Sequence, residues 1–221
     1  MAAPQAEPDR SSSDHYGLVF LLLIGAFLLS ALVTHERARV FPLLLDAMVL
    51  VVLLRPSQLP GPRAGTAGRV LVAGVLASVV VTLVVTNRFV HSVVSLWLAG
   101  TLAFTIAVLL WRILIHHRVV TLQTIFGALS VYLLIGFVFA ALFSALSQLQ
   151  HDPLFAKGQP ANSGTIQYFA FITMTTTGYG DFVAAGEPAR SLAVLDALSG
   201  QIFLITLVAR LVSMFGTRRD E

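Results

Sequence analysis

The chain has 221 residues, of which 57% are hydrophobic and only 11% are charged, a composition typical of membrane proteins. Its formal net charge of +3 comes from basic residues spread along the chain rather than gathered in one segment, which argues against a nucleic-acid-binding protein. The chain contains no cysteine, so disulfides, thiolate metal sites and cysteine catalysis are excluded.

Six apolar segments predict membrane-spanning helices, which need about 20 mostly apolar residues each. They cover residues 17–34, 40–54, 70–86, 90–115, 119–149 and 192–215. The second segment is short and contains Asp46, so it is either a tilted span or a helix at the membrane surface. The predicted fold class is an all-α membrane protein with six transmembrane helices.

The basic residues predict the orientation of the spans, because cytoplasmic connections are richer in Lys and Arg. With the amino end inside, nine of the 14 basic residues fall on the cytoplasmic side. Four of them lie where contact with anionic lipid headgroups is expected, namely Arg112, Arg118, Arg218 and Arg219. We therefore predict an integral membrane protein with both termini in the cytoplasm.

The first four predicted spans lack the charges of a voltage sensor. Such a sensor needs several arginines at every third position of one helix, because each charge moved contributes about 2.3 kcal/mol per 100 mV. Residues 90–115 contain Arg112 as their one arginine. Strong voltage gating is therefore not expected.

The connection between the fourth and fifth predicted spans contains His116 and His117, followed by Arg118. Histidine titrates near pH 6.5, so the pair is a candidate sensor of cytoplasmic pH or of anionic lipid. The alternative is a basic stop at a helix end, with no regulatory role.

The segment between the last two predicted spans has the layout of a re-entrant loop. Residues 151–163 are polar and contain two prolines, which predicts an extracellular loop. Residues 164–176 are mostly apolar but would rise only about 20 Å as a helix, too little to cross the membrane. We predict a half-helix that enters from outside and directs the negative end of its dipole at the membrane centre.

The half-helix leads directly into a string of threonines and glycines: Thr175, Thr176, Thr177, Gly178, Tyr179, Gly180 and Asp181. Glycine adopts a positive φ at no steric cost, so the two glycines allow successive carbonyls to face one axis. Rings of backbone carbonyls can replace the water shell of an ion.

This string resembles the selectivity filter of the potassium-channel superfamily, and residues 119–215 resemble its one-pore-loop unit in prokaryotic-type channels with six transmembrane helices. The resemblance implies that K+ binds to the carbonyls of four residues, Thr176, Thr177, Gly178 and Tyr179, with the hydroxyl of Thr176 at the inner site. It also implies that Gly180 lies at the outer mouth, that Asp181 caps the mouth, and that Tyr168 and Phe169 brace the filter.

Thr177 stands where Val or Ile is commonest in this family. Val and Thr are nearly isosteric, but a buried hydroxyl needs a hydrogen-bond partner. The hydroxyl therefore either adds a hydrogen bond that holds the filter or makes the filter slightly less stable.

The last span carries the candidate gate. Gly200 is either an inner-helix hinge or a site of close packing. One face of this helix is expected to line a cavity below the filter, with the side chains of Gln201, Leu204, Ile205, Val208 and Val212. Asp196 lies about 140° from Gln201 on the helical wheel and is expected behind the filter, as a structural carboxyl or one that tunes the filter.

These features divide the chain into a cytoplasmic tail (1–16), a four-helix membrane domain (17–118), a pore domain (119–215) and a second tail (216–221). A single filter copy predicts a homotetramer, because four copies close a ring around one axis. The expected function is passive K+ conduction in a bacterial inner membrane, with no enzymatic step and no cofactor besides the permeant ion. The alternatives are a conducting subunit of a K+ uptake system and a modulatory subunit.

Overall fold

The computed structural model of this chain describes residues 16–32, 44, 48, 62–85, 87–116 and 122–216. Six α-helices have both ends within these residues. In chain order they are α1 (Tyr16–Leu32), α2 (Pro62–Val84), α3 (Arg88–His116), α4 (Leu122–Leu149), α5 (Ser163–Met174) and α6 (Glu187–Gly216). The predicted all-α class is confirmed for the described part of the chain.

Three helices in the described residues are long and apolar enough to cross a membrane. They are α3, α4 and α6, within Arg88–Trp111, Leu122–Leu149 and Glu187–Arg210. The apolar parts of α1 and α2 are shorter, Tyr16–Leu29 and Val70–Val84. The predicted second span, residues 40–54, lies outside the described residues except for positions 44 and 48.

Two helices begin well before the apolar segments that predicted them. The first residue of α2 is Pro62 rather than residue 70, and α6 begins at Glu187 rather than residue 192. Proline is favoured in a first turn because its missing N–H would be unbonded there anyway, and Pro188 is likewise in the first turn of α6. A carboxylate in that turn also interacts favourably with the helix dipole. The apolar segments therefore predicted where these helices run but not where they begin.

The central helix of the described fold is α4. The helix α3 packs along it, and α1, α5 and α6 also contact it, whereas α2 contacts α3. Buried aliphatic and aromatic side chains fill the space between these helices, among them Leu23, Leu102, Leu134 and Phe137. This packing positions the short helix α5 between α4, α6 and α1.

A second buried cluster lies where the connection between α4 and α5 meets α5. The Phe169 ring is 5.0 Å from the Phe143 ring and 5.3 Å from the Phe155 ring, both edge to face. Phe155 also pairs antiparallel with Ala184, and the Ala156 N–H donates to the Val183 carbonyl over 2.8 Å. The connection is thereby tied to the segment that follows the glycine-rich string.

Candidate functional site

The short helix α5 begins with two reciprocal hydrogen bonds. The Thr165 N–H donates to Asn162 Oδ1 over 2.9 Å, and the Asn162 N–H donates to Thr165 Oγ1 over 3.0 Å. Such a capping box satisfies two N–H groups that a helix start leaves without partners. The helix has 12 residues and ends at Met174, close to the extent predicted for the half-helix.

The backbone dihedral φ alternates in sign along the segment after α5. Thr176, Gly178 and Gly180 have φ of 56°, 45° and 76°, whereas the residues between them do not have positive φ. The N–H groups of Thr177 and Gly178 both donate to the Ile172 carbonyl, over 2.9 and 3.1 Å. The sign of φ alternates along this segment, and its N–H groups point toward α5. The carbonyls of the same residues are therefore free to face away from α5.

Thr176 adopts its positive φ at a steric cost that glycine would not have. The left-handed region costs a residue with a Cβ about 1–2 kcal/mol, and Thr is β-branched as well. Strain of this kind persists where surrounding contacts hold it, and here the Thr176 N–H donates to the Thr173 carbonyl over 2.9 Å.

Asp181, at the end of the string, is held by two side chains. The Tyr168 hydroxyl donates to Asp181 Oδ2 over 2.8 Å, and the Gln159 amide donates to the Asp181 backbone carbonyl. The hydrogen bond from Tyr168 is the main cause that lowers the pKa of the Asp181 carboxyl, and nearby Lys157 acts in the same direction. Asp181 is therefore a carboxylate at neutral pH.

The hydroxyl of Thr177 has a hydrogen-bond partner. Thr175 Oγ1 lies 2.9 Å from Thr177 Oγ1 and 2.8 Å from the Phe171 carbonyl. Of the two alternatives for Thr177, the structure therefore contains the additional hydrogen bond.

Gly200 lies where α6 passes the end of α5. A Cβ added to Gly200 would be 2.4 Å from the Met174 carbonyl oxygen and 2.6 Å from its Cγ, distances that real Cβ atoms do not have. Close packing is thus a sufficient reason for glycine at this position. A hinge at Gly200 stays a prediction.

The two sides of α6 differ sharply in exposure. The five side chains predicted to line a cavity are all exposed in the single chain: Gln201, Leu204, Ile205, Val208 and Val212. Asp196, in contrast, is fully buried, and neither of its carboxyl oxygens has a hydrogen-bond partner among the described residues. The cavity and the role of Asp196 stay predictions.

The predicted regulatory and lipid-contact residues lie at the edge of the described chain. Arg112 and His116 are in the last turns of α3. Four further predicted residues lie outside the described residues, namely His117, Arg118, Arg218 and Arg219.

The sequence did not predict the roles of some residues that surround the string. Gln159 lies in a polar loop with no pattern to single it out, and Gly136 of α4 makes room for the Phe171 ring, whose atoms would be 2.7 Å from an added Cβ. The Phe171 ring also packs on Phe27 of α1 with 4.8 Å between centroids. The sequence signal for this contact was Gly136 itself, because small residues in membrane helices allow close approach.

Comparisons with known proteins find two matches. A family model described as "Ion channel" matches residues 127–217, from within α4 to just beyond α6. The chicken (Gallus gallus) protein named "Voltage-gated potassium channel regulatory subunit KCNG2" is 33% identical over 96 residues. That match covers 43% of this chain and 18% of the relative, so this chain spans less than a fifth of the relative's length. No solved structure matches the chain.

Proposed function

Since the carboxyl-terminal part of this integral membrane protein belongs to the potassium-channel superfamily, we propose that the chain is the subunit of a passive K+ channel. The channel has no enzymatic step and no cofactor. Its ligand is the permeant ion, which moves down its electrochemical gradient.

In this proposal K+ binds to the backbone carbonyls after α5. The sites are made by Thr176, Thr177, Gly178 and Tyr179, with Gly180 and Asp181 at the outer mouth. The observation that carries the proposal is the alternating backbone, with positive φ at Thr176, Gly178 and Gly180, together with the two N–H groups bonded to the Ile172 carbonyl. A chain turned in this way presents oxygen atoms that replace the water of a bare cation.

Four identical chains complete the filter around a fourfold axis. In the single chain Tyr179 is 74% exposed, and α6 has only 11% of its most apolar stretch buried, against 44% for α4. Apolar surface of this extent needs partners or lipid. A ring of four copies places the uncovered face of α6 around a shared axis and buries the filter between subunits.

Below the filter, the exposed face of α6 lines a cavity. Its apolar residues, Leu204, Ile205, Val208 and Val212, close the path by dewetting when the helices approach one another. Gln201 is the polar group of this cavity. The carboxyl end of α5 directs the negative end of its dipole at the same place, which favours a cation there.

The proposed subunit has six spans, both termini in the cytoplasm, and a place in a bacterial inner membrane. Arg112, Arg118, Arg218 and Arg219 then face anionic headgroups on the inner side.

Gating by voltage is weak in this proposal. In the described part of α3, Arg88 is in the first turn and Arg112 lies near the last, with no arginine between them. The Arg88 guanidinium donates to the Ser147 carbonyl over 3.3 Å and to the Gln150 carbonyl over 2.9 Å, at the end of α4. Because α3 is hydrogen-bonded to α4 and lacks a row of arginines, it carries little charge that could move across the membrane field.

A modulatory subunit is the second candidate, because the chicken relative is named a regulatory subunit. In that case the chain conducts only in company with other channel subunits. Membrane subunits of active K+ uptake systems usually carry several pore loops per chain, and this chain has one complete filter string.

The test is K+ flux into liposomes that contain only the purified chain. We expect flux that barium blocks and that Na+ does not replace. Gly178→Ala should abolish it, because a Cβ at φ 45° strains the filter in all four copies. Gly158→Ala is the matched control, since Gly158 also has a positive φ of 68° but lies in the loop outside the filter. Flux that appears only after another channel subunit is added would favour the modulatory role.

A further inference from the structure

Two threonine hydroxyls form a chain behind the filter. Thr175 Oγ1 lies 2.8 Å from the Phe171 carbonyl oxygen and 2.9 Å from Thr177 Oγ1. A hydroxyl has one proton to donate, and a carbonyl can only accept. Both short distances are hydrogen bonds when the Thr175 hydroxyl donates to the Phe171 carbonyl and the Thr177 hydroxyl donates to the Thr175 oxygen.

This hydroxyl chain joins the middle of the filter string to the last turn of α5. Thr177 is attached twice, since its N–H also donates to the Ile172 carbonyl over 2.9 Å. Rotation of the peptide plane between Thr176 and Thr177 must break the N–H attachment, and the hydroxyl attachment resists any shift of Thr177 that accompanies the rotation. With valine at this position, only the backbone attachment would remain.

Loss of the bound cations favours rotation of peptide planes in the filter. Carbonyl dipoles that face one axis repel one another when no ion lies between them. The neighbouring Thr176, with φ of 56°, adds strain to the same stretch of backbone.

We propose that the hydroxyl chain of Thr175 and Thr177 is a positioning device that keeps the filter conductive at low K+ concentration. The proposal rests on the proposed K+ channel function and deepens it. Thr177 acts through its hydroxyl on the backbone, and it offers the ion its carbonyl.

The experiment measures the K+ concentration that preserves conduction. Full-length protein in liposomes is equilibrated at a series of K+ concentrations, with N-methylglucamine as the replacing cation, and K+ flux is then recorded. Thr177→Val should raise the concentration that preserves half of the flux by about fivefold, the effect of one net hydrogen bond. Thr177→Ser keeps the hydroxyl and should keep the wild-type value.

The partner residue makes the test sharper. Thr175→Val leaves the Thr177 hydroxyl without its acceptor, so its effect should exceed that of Thr177→Val. The double variant replaces both hydroxyls by methyl groups of similar shape, and its shift should be smaller than the product of the two single shifts. Thr105→Val is the matched control, because the Thr105 hydroxyl makes the same kind of bond, to the Thr101 carbonyl over 2.9 Å, far along the chain in α3.

Three results would overturn the proposal: an unchanged threshold in Thr177→Val, a valine-like shift in Thr177→Ser, or a double variant whose shift equals the product. Absence of wild-type flux would instead refute the proposed function. In that event the test is thermal unfolding of the purified protein at a series of K+ concentrations. The quantity compared is the K+ concentration that gives half of the maximal rise in melting temperature. The same fivefold shift in Thr177→Val supports the proposal, and no shift refutes it.

Discussion

The filter residues are bonded on the side that faces away from the proposed ion path. Thr177 is tied to the end of α5 by its N–H and its hydroxyl, and Asp181 is tied by Tyr168 and Gln159. These bonds use donors and acceptors that do not take part in carbonyl coordination. The residues are thereby held in place while their carbonyls stay available to an ion.

The bond between Tyr168 and Asp181 predicts a pH effect. Because it lowers the pKa of Asp181, its contribution to stability is present above the usual carboxyl pKa of about 4 and is lost as pH falls through the lowered value. In Tyr168→Phe the Asp181 carboxyl should titrate at a higher pH than in the wild type. The titration is measured from the 13C signal of the Asp181 carboxyl between about pH 2 and 6.

Tyr132→Phe is the control for this measurement, since Tyr132 lies on α4 and stacks on Phe203 rather than near Asp181. An Asp181 titration that is the same in Tyr168→Phe and in wild type would contradict the assignment of the hydrogen bond as the main cause.

At the scale of elements, α5 is located by close contacts on two sides. Gly136 of α4 admits the Phe171 ring, and Gly200 of α6 admits the Met174 backbone. Small residues allow helices in membranes to approach closely, and any larger side chain at these points moves the helix. Since the proposed filter directly follows α5, the position of α5 sets the position of that segment.

Gly200→Ala tests this contact. The new Cβ meets a backbone atom at 2.4 Å, so α5 or α6 must shift, and overpacking of this kind costs about 1–3 kcal/mol. We expect a lower melting temperature of the purified protein and reduced K+ flux. Gly100→Ala in α3, where no atom lies within 4 Å of the added Cβ, should leave both unchanged. A Gly200→Ala protein with the wild-type melting temperature but impaired opening would indicate a hinge instead.

At the scale of the whole molecule, a row of hydrogen bonds joins α3 to the carboxyl-terminal part of α4. Besides Arg88, the Ser92 hydroxyl donates to the Ala145 carbonyl over 3.3 Å, and the hydroxyls of Ser95 and Ser144 are 3.4 Å apart. These residues recur on one face of α3 at helical spacing. These polar contacts favour an α3 that stays fixed against α4 over an α3 that slides along it.

The expected consequence is conduction that depends only weakly on voltage. K+ flux per unit driving force should change less than about twofold over 100 mV on either side of zero, because no row of charges crosses the field. Arg88→Gln removes two hydrogen bonds between α3 and α4 and should lower the melting temperature by about 2–4 °C without making conduction voltage-dependent. Voltage dependence that Arg88→Gln abolishes would mean that this charge moves in the field.

The amino-acid sequence by itself determined the features that depend on local composition and spacing. Long apolar runs predicted the described helices, a short apolar run predicted α5, and Gly178 and Gly180 predicted positive φ at those two positions but not at Thr176. Each of these follows from the length of a membrane helix or from the steric freedom of glycine.

Only the tertiary structure decided which distant residues meet. It brought Gly136 to Phe171, Gly200 to Met174, and Gln159 to Asp181, and it gave the Thr177 hydroxyl its partner. Such contacts depend on helix packing and on side-chain direction, which no local pattern encodes. Polar first turns likewise extended α2 and α6 beyond the apolar segments, because helix ends follow capping and backbone geometry rather than hydrophobicity.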